Sequence, residues 1–107
     1  GQLVFILQRG VRFPQGPPIM KYSVYLIISK INQRFFTYVG YTNNINKRLS
    51  LHNSSKGAKF TRGKFWKLVY QKNFNTKSEA LKYEFKLKNN RVKRNNLKKQ
   101  YILNEKN

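Results

Sequence analysis

Cysteine and aspartate are both missing from this 107-residue chain, and its acids are Glu79, Glu84 and Glu105 alone. Without cysteine there can be no disulfide and no thiolate zinc site, which also excludes a zinc-bearing module within the chain. A reducing, intracellular setting (cytoplasm, nucleoid or organelle) fits that absence. Without aspartate the chain cannot gather the several carboxylates that two-metal nucleases use to hold their ions. Any metal chemistry must therefore run on few carboxylates and a single ion. Histidine is represented by His52 only, so a ββα-metal site lacks the further acidic or His ligands it needs. No stretch approaches the ~20 apolar residues of a membrane span, and no membrane role is expected.

What the chain has in excess is positive charge: 23 Lys plus Arg, for a formal net charge of +20. Such self-repulsion is relieved by a polyanion, and a nucleic-acid backbone is the obvious one because each neutralised phosphate releases counterions. Charge alone fits a ribosomal-type RNA-binding protein or a membrane-surface protein as well. A hydrophobic content of 39% and an aromatic content of 15% are enough for one compact core at this length.

Residues 1–19 stand apart. A short apolar run, Leu3 to Leu7, is followed by a Gly- and Pro-rich stretch to Pro18, which reads as an irregular arm: a leader, a linker or a cloning remnant. The patterned domain is expected over residues 20–107. Lys21 to Ser29 is rich in β-branched and aromatic residues and predicts a strand, Lys30 to Gln33 a polar turn, and Arg34 to Tyr41 a second strand closing a hairpin. Lys64 to Gln71 is the third strand candidate. A helix follows the capping residues Thr42, Asn43 and Asn44 and runs to about His52, with Ile45, Arg48, Leu49 and His52 on one face. A second helix opens on a capping box, Thr76 with Glu79, and places Ala80, Leu81, Glu84 and Leu87 together. The basic run from Lys86 to Lys99 either extends that helix or starts another. The fold class is thus α+β: a small three-stranded antiparallel sheet flanked by helices, in the order β-β-α-β-α, with a further C-terminal helix allowed.

Glu84 is the most informative residue, since a carboxylate on an apolar helix face needs a counter-charge, a metal or a raised pKa. Its bland reading is a partner for one of the many nearby Lys or Arg side chains. Arg48 and His52, four residues apart, form a cationic and proton-active pair facing the sheet, suited to phosphoryl chemistry. Tyr25 and Tyr38 sit on the two hairpin strands. Each is explained by packing alone, or by a phenol placed to take a proton from water if its pKa of about 10 is lowered. The phosphate-gripping candidates are Lys47, Lys56, Lys59, Arg62, Lys64, Lys88, Arg91, Lys93 and Arg94.

These residues carry a family pattern. Ser23-Val24-Tyr25 and Tyr38-Val39-Gly40, the passage from Tyr41 to Arg48, His52, the loop Lys56 to Gly63 and Glu84 follow one another as in the GIY-YIG nuclease superfamily, which the chain resembles from about Lys21 to Lys88. The first triplet keeps its Tyr but lacks its Gly and has Val for Ile; Tyr41 stands where one branch keeps a Lys. The loop is similar to that of small stand-alone bacterial members and of the nuclease subunit of the eukaryotic structure-specific endonuclease. Some members use a downstream Asn, for which Asn89, Asn90, Asn95 and Asn96 are all available.

The resemblance implies an endonuclease that hydrolyses DNA phosphodiesters with one Mg²⁺ or Mn²⁺. In that scheme Glu84 would hold the metal and Tyr25 would act as base, or pass its proton on with help from His52. Arg48 would stabilise the developing charge, and Tyr38 would orient phosphate or water. A structure-specific or repair and recombination role comes first. A homing-type or partner-guided enzyme, with a protein partner supplying specificity, and a non-catalytic nucleic-acid-binding protein are the alternatives.

Overall fold

A computed structural model describes residues 21–106, so the arm expected over residues 1–19 and the domain start expected at residue 20 lie outside the described residues. The first two strands, β1 (Tyr22–Ile31) and β2 (Arg34–Thr42), form the expected hairpin. The turn between them is only Asn32 and Gln33, with φ of 51° and 71°. Positive φ at both positions is the backbone of a tight primed turn, whose twist suits a two-residue connection. Helix α1 (Ile45–Asn53) starts where expected, and Asn44 caps it by accepting the Lys47 N–H at 3.1 Å. A single 3₁₀ turn, Lys59–Thr61, precedes β3 (Lys67–Phe74). Helices α2 (Lys77–Lys88) and α3 (Arg91–Lys106) complete the order. The sheet is antiparallel with β1 in the middle, in the order β2-β1-β3.

Three local readings are corrected. The third strand starts at Lys67, not Lys64, because Trp66 is used before the ladder begins. Its N–H donates to Asn53 Oδ1, its carbonyl accepts from Asn53 Nδ2 at 3.1 Å, and its indole N–H donates to Thr61 O at 2.9 Å. Leu81 is 41% exposed, off the packed face of α2. The stripe that meets the sheet runs Ala80, Tyr83, Glu84 and Leu87, the i, i+3, i+4, i+7 pattern, and Leu81 stands about 100° around the helix from Ala80. The basic run takes the second of its two expected courses and starts a helix of its own. Asn89 ends α2 and Asn90 starts α3, its Oδ1 accepting the Lys93 N–H at 3.0 Å. Only the Thr76 half of the capping box is formed, with Glu79 N–H donating to Thr76 Oγ1 at 3.2 Å and the Glu79 residue itself exposed.

Alternation along β1 divides the core. Val24 and Leu26 point to the face covered by α2 and α3, where they meet Val39, Ala80 and Leu87. Tyr25 and Ile27 point to the other face, where Trp66, Ile45, Leu49, Phe36 and Tyr38 surround them. The result is three layers, with the helix pair on one side of the sheet and α1 with its following loop on the other.

Candidate active site

Tyr25 lies on the middle strand, yet its ring reaches across the edge strand. The residue opposite it in the ladder is Gly40, and a Cβ there would collide with the Tyr25 hydroxyl and Cζ. The glycine of the second triplet is thus the gap through which the phenol passes. Its hydroxyl meets His52 Nε2 at 2.8 Å, and His52 Nδ1 meets Thr61 Oγ1 at 2.8 Å. Thr61 Oγ1 donates its one hydrogen to Ala58 O at 2.7 Å, so it can only accept from the imidazole. That fixes the tautomer. His52 carries its proton on Nδ1, and its Nε2 lone pair accepts from the Tyr25 O–H. A directed chain runs Tyr25, His52, Thr61, Ala58, and its first three members are fully or almost fully buried.

Burial, followed by the nearby Arg48 charge, lowers the His52 pKa below its ordinary value of 6.5, which keeps the ring neutral and able to accept. The ring needs space: a Cβ on Gly57 would strike His52 Nδ1. Burial pushes Tyr25 up to about 12, although the Arg48 guanidinium beside its hydroxyl opposes the rise. The lowering that a Tyr25 base would require is not found, because loss of hydration outweighs the Arg48 cation beside the hydroxyl. At neutral pH Tyr25 is a phenol with a proton acceptor at its oxygen, not a phenolate.

Arg48 comes from α1, half-buried, and its buried Nε has no hydrogen-bond partner among the described residues. Tyr38 packs its ring edge-to-face on His52, with centroids 5.3 Å apart. Glu84 arrives from the opposite layer, on α2. Its charge is one of the influences that raise the Tyr25 pKa, so it stands within electrostatic reach of the phenol. Its side chain is 17% exposed and paired with Lys88 at 3.4 Å. The bland partner foreseen for it exists, and the ion pair sits at the rim of the same site. Among the described residues no group of three His, Cys, Asp or Glu is placed to hold a metal. Glu84 is the one acid of the site, which fits an ion such as Mg²⁺ that binds through one or two carboxylates and takes its other ligands from water and substrate phosphate.

The basic candidates divide. Lys88 and Arg94 line a cleft of about 200 Å³ against Thr37, Tyr38 and Val39, with Arg94 Nε donating to Leu87 O at 3.0 Å. Lys64 stands over the Phe60 and Phe36 rings, at 4.9 and 5.4 Å. Lys47, Lys56, Lys59, Arg62 and Arg91 are exposed. Lys93 is turned away, its ammonium 5.7 Å from the Tyr70 ring on the other edge strand. Of the four asparagines, Asn89 donates to Phe85 O at 2.8 Å and Asn90 caps α3, while Asn95 and Asn96 are exposed. Thr61, Gly40 and Gly57 were not singled out in the sequence as functional residues. Thr61 gives no local signal, because its role depends on a loop folding back over His52.

Residues 21–99 match the model of the GIY-YIG catalytic domain. The chain belongs to the GIY-YIG family. This places the GIY-YIG domain described above in a family of nucleases. The chain is 42% identical over 69 residues to a UPF0213 protein of Staphylococcus haemolyticus, covering 64% of this chain and 80% of that one. It is 50% identical over 66 residues to a UPF0213 protein of Bacillus licheniformis, covering 61% of this chain and 65% of the relative. The solution NMR structure of a UPF0213 protein from Bacillus halodurans is 35% identical, with a TM-score of 0.42, covering 76% of this chain and 85% of that one. Among the described residues no helix is long and apolar enough to cross a membrane.

Proposed function

We propose that this GIY-YIG domain is a metal-dependent DNA endonuclease of structure-specific or repair type, and that Tyr25, Tyr38, Arg48, His52 and Glu84 are its catalytic groups. The observation that carries this reading is the directed chain from the Tyr25 hydroxyl through His52 to Thr61, with Arg48 beside the phenol. A water attacking the phosphorus can give its proton to the Tyr25 oxygen while the phenol proton moves to His52 Nε2. With its pKa near 12, Tyr25 works as a relay, and His52 is the group that holds the proton. Arg48 stabilises the charge that grows on the phosphoryl oxygens, and its poorly hydrated guanidinium makes that interaction stronger than it would be in water. Tyr38 holds the imidazole edge and borders the Lys88–Arg94 cleft, where the backbone phosphates are gripped.

Glu84 would hold the divalent ion, releasing Lys88 to the DNA backbone. Bound there, Mg²⁺ or Mn²⁺ supplies the positive charge that polarises the phosphate and eases departure of the 3′ oxygen. The products carry a 5′ phosphate and a 3′ hydroxyl. The test is a panel of single-stranded, duplex, flap and branched DNAs incubated with and without Mg²⁺. Glu84→Ala and Tyr25→Phe are expected to abolish cutting and to leave DNA binding intact. Full cutting by both variants would sink the assignment.

A further inference from the structure

Phe60 is 49% exposed in the loop that encloses His52, and it is not loose. Its ring stacks on Tyr38 with centroids 6.3 Å apart and planes 19° from parallel. It also leans on Phe36 at 6.4 Å and on Trp66 at 6.2 Å. The position is held from below, because Thr61, the next residue, is anchored to His52 and Ala58. Lys64 Nζ donates to Phe60 O at 3.0 Å and lies over the ring, while Lys59 and Arg62 on either side are exposed.

A large apolar surface left half open beside Tyr38, on a protein of net charge +20, calls for a ligand that is flat, apolar on its faces and anionic at its edge. A nucleobase with its phosphates is such a ligand, and stacking on a rigid ring is how proteins hold unpaired bases irrespective of sequence. A base inside an intact duplex has both faces covered and cannot reach a side-chain ring without leaving the stack. Arriving phosphates would draw Lys64, Lys59 and Arg62 to themselves, and Phe60 would meet the base.

We infer that Phe60 is a stacking platform for an unpaired nucleobase beside the scissile phosphate, so that the enzyme selects DNA with an unstacked nucleotide at the cut. This inference rests on the nuclease reading for its use, but its test does not. In a Glu84→Ala background, without metal, the dissociation constant for oligothymidylate and for a duplex of equal length would be measured. Adding Phe60→Ala should weaken oligothymidylate about 10- to 100-fold, the range for loss of a base–aromatic stack. Duplex binding, which is mainly electrostatic, should fall far less. Phe60→Trp should bind as tightly as the parent, with its tryptophan emission quenched by the oligonucleotide, and Phe60→Leu should resemble Phe60→Ala. Equal weakening of both DNAs, or Phe60→Leu binding like the parent, overturns the platform. Discrimination retained by a protein that never cuts overturns the nuclease and leaves the platform standing. Cutting without discrimination does the reverse.

Discussion

On one face of the sheet Val24, Leu26, Val39, Ala80 and Leu87 meet as an apolar cluster; on the other, Tyr25, Ile27 and Trp66 share their space with buried His52 and Thr61. One strand, β1, feeds both faces through alternate residues, yet the two interiors differ in kind. The first is closed by non-directional burial and tolerates any well-shaped apolar filling. The second is filled by groups that must each find a partner, and most find one in the chain from Tyr25 to Ala58. The exception is Arg48 Nε, which is buried without a partner among the described residues; in the proposed reaction it serves the phosphate. The labour divides between the two faces. The α2–α3 face is held by an apolar cluster, and the α1 face adds to its own apolar packing the directed hydrogen bonds on which the proposed chemistry rests.

The largest effect should come from the apolar side. Leu87→Ala empties a site that is 2% exposed, and a truncation of that kind costs ~2–5 kcal/mol. Urea melts should show that loss, while at low temperature the folded fraction should still cut DNA, because Leu87 belongs to the apolar cluster of the α2–α3 face and Tyr25 to that of the other face. A folded Leu87→Ala protein that cannot cut would break the division between faces.

Thr61→Val should give the opposite signature. The swap keeps the shape and removes the acceptor for His52 Nδ1–H, leaving the tautomer free. If the chain is a relay, losing the group that orients His52 should lower cutting about 10- to 100-fold, the range found for partners of metal-bound His, whereas the orphaned donor costs ~1–3 kcal/mol of stability. Cutting rates, melting and DNA affinity measured together decide it, and Thr61→Ser should restore the rate. If Thr61→Val lowers stability alone, the hydroxyl is a structural tie and the chain is not a relay.

How much of this was legible in the sequence follows the same division. The apolar face could be read, because period-2 alternation in β1 and the spacing of Ala80 and Leu87 are local patterns. Leu81 was misplaced because an apolar residue one step off the stripe looks like part of it until the helix is docked. The start of β3 was misjudged for a non-local reason: Trp66 is claimed by Asn53 and Thr61, residues a strand pattern does not consult. On the α1 face Tyr25, Arg48 and His52 were visible as residue types in a family order. Their environment was not, and the direction of the Tyr25 shift depended on it. Positive charge is abundant in the sequence, but the phenol is governed by how little water reaches it.

The smallest expected effect is in pH dependence: His52 gives the α1 face an acid limb, while the alkaline limb is shared, because Tyr70 on the α2–α3 face is also raised by burial and by its bond to Tyr83. His52 has a depressed folded pKa, set first by burial and then by Arg48. A group of that kind contributes stability that is present above its unfolded pKa of about 6.5 and is lost as pH falls through the folded value. Tyr25 is raised to about 12, so its contribution is full below its ordinary 10.0 and is lost as pH rises through about 12. Both groups lie on the α1 face. Urea midpoints followed across pH should therefore slope downward on the acid side below 6.5, and His52→Gln should flatten that slope while leaving the alkaline limb in place. In cutting assays the same neutral imidazole must receive the relay proton, so the acid limb of the rate should fall below pH 6.5 rather than at it. A limb above that value would mean that His52 is charged in the working enzyme, with Nε2 donating to Tyr25, and the direction assigned to the chain would have to be reversed.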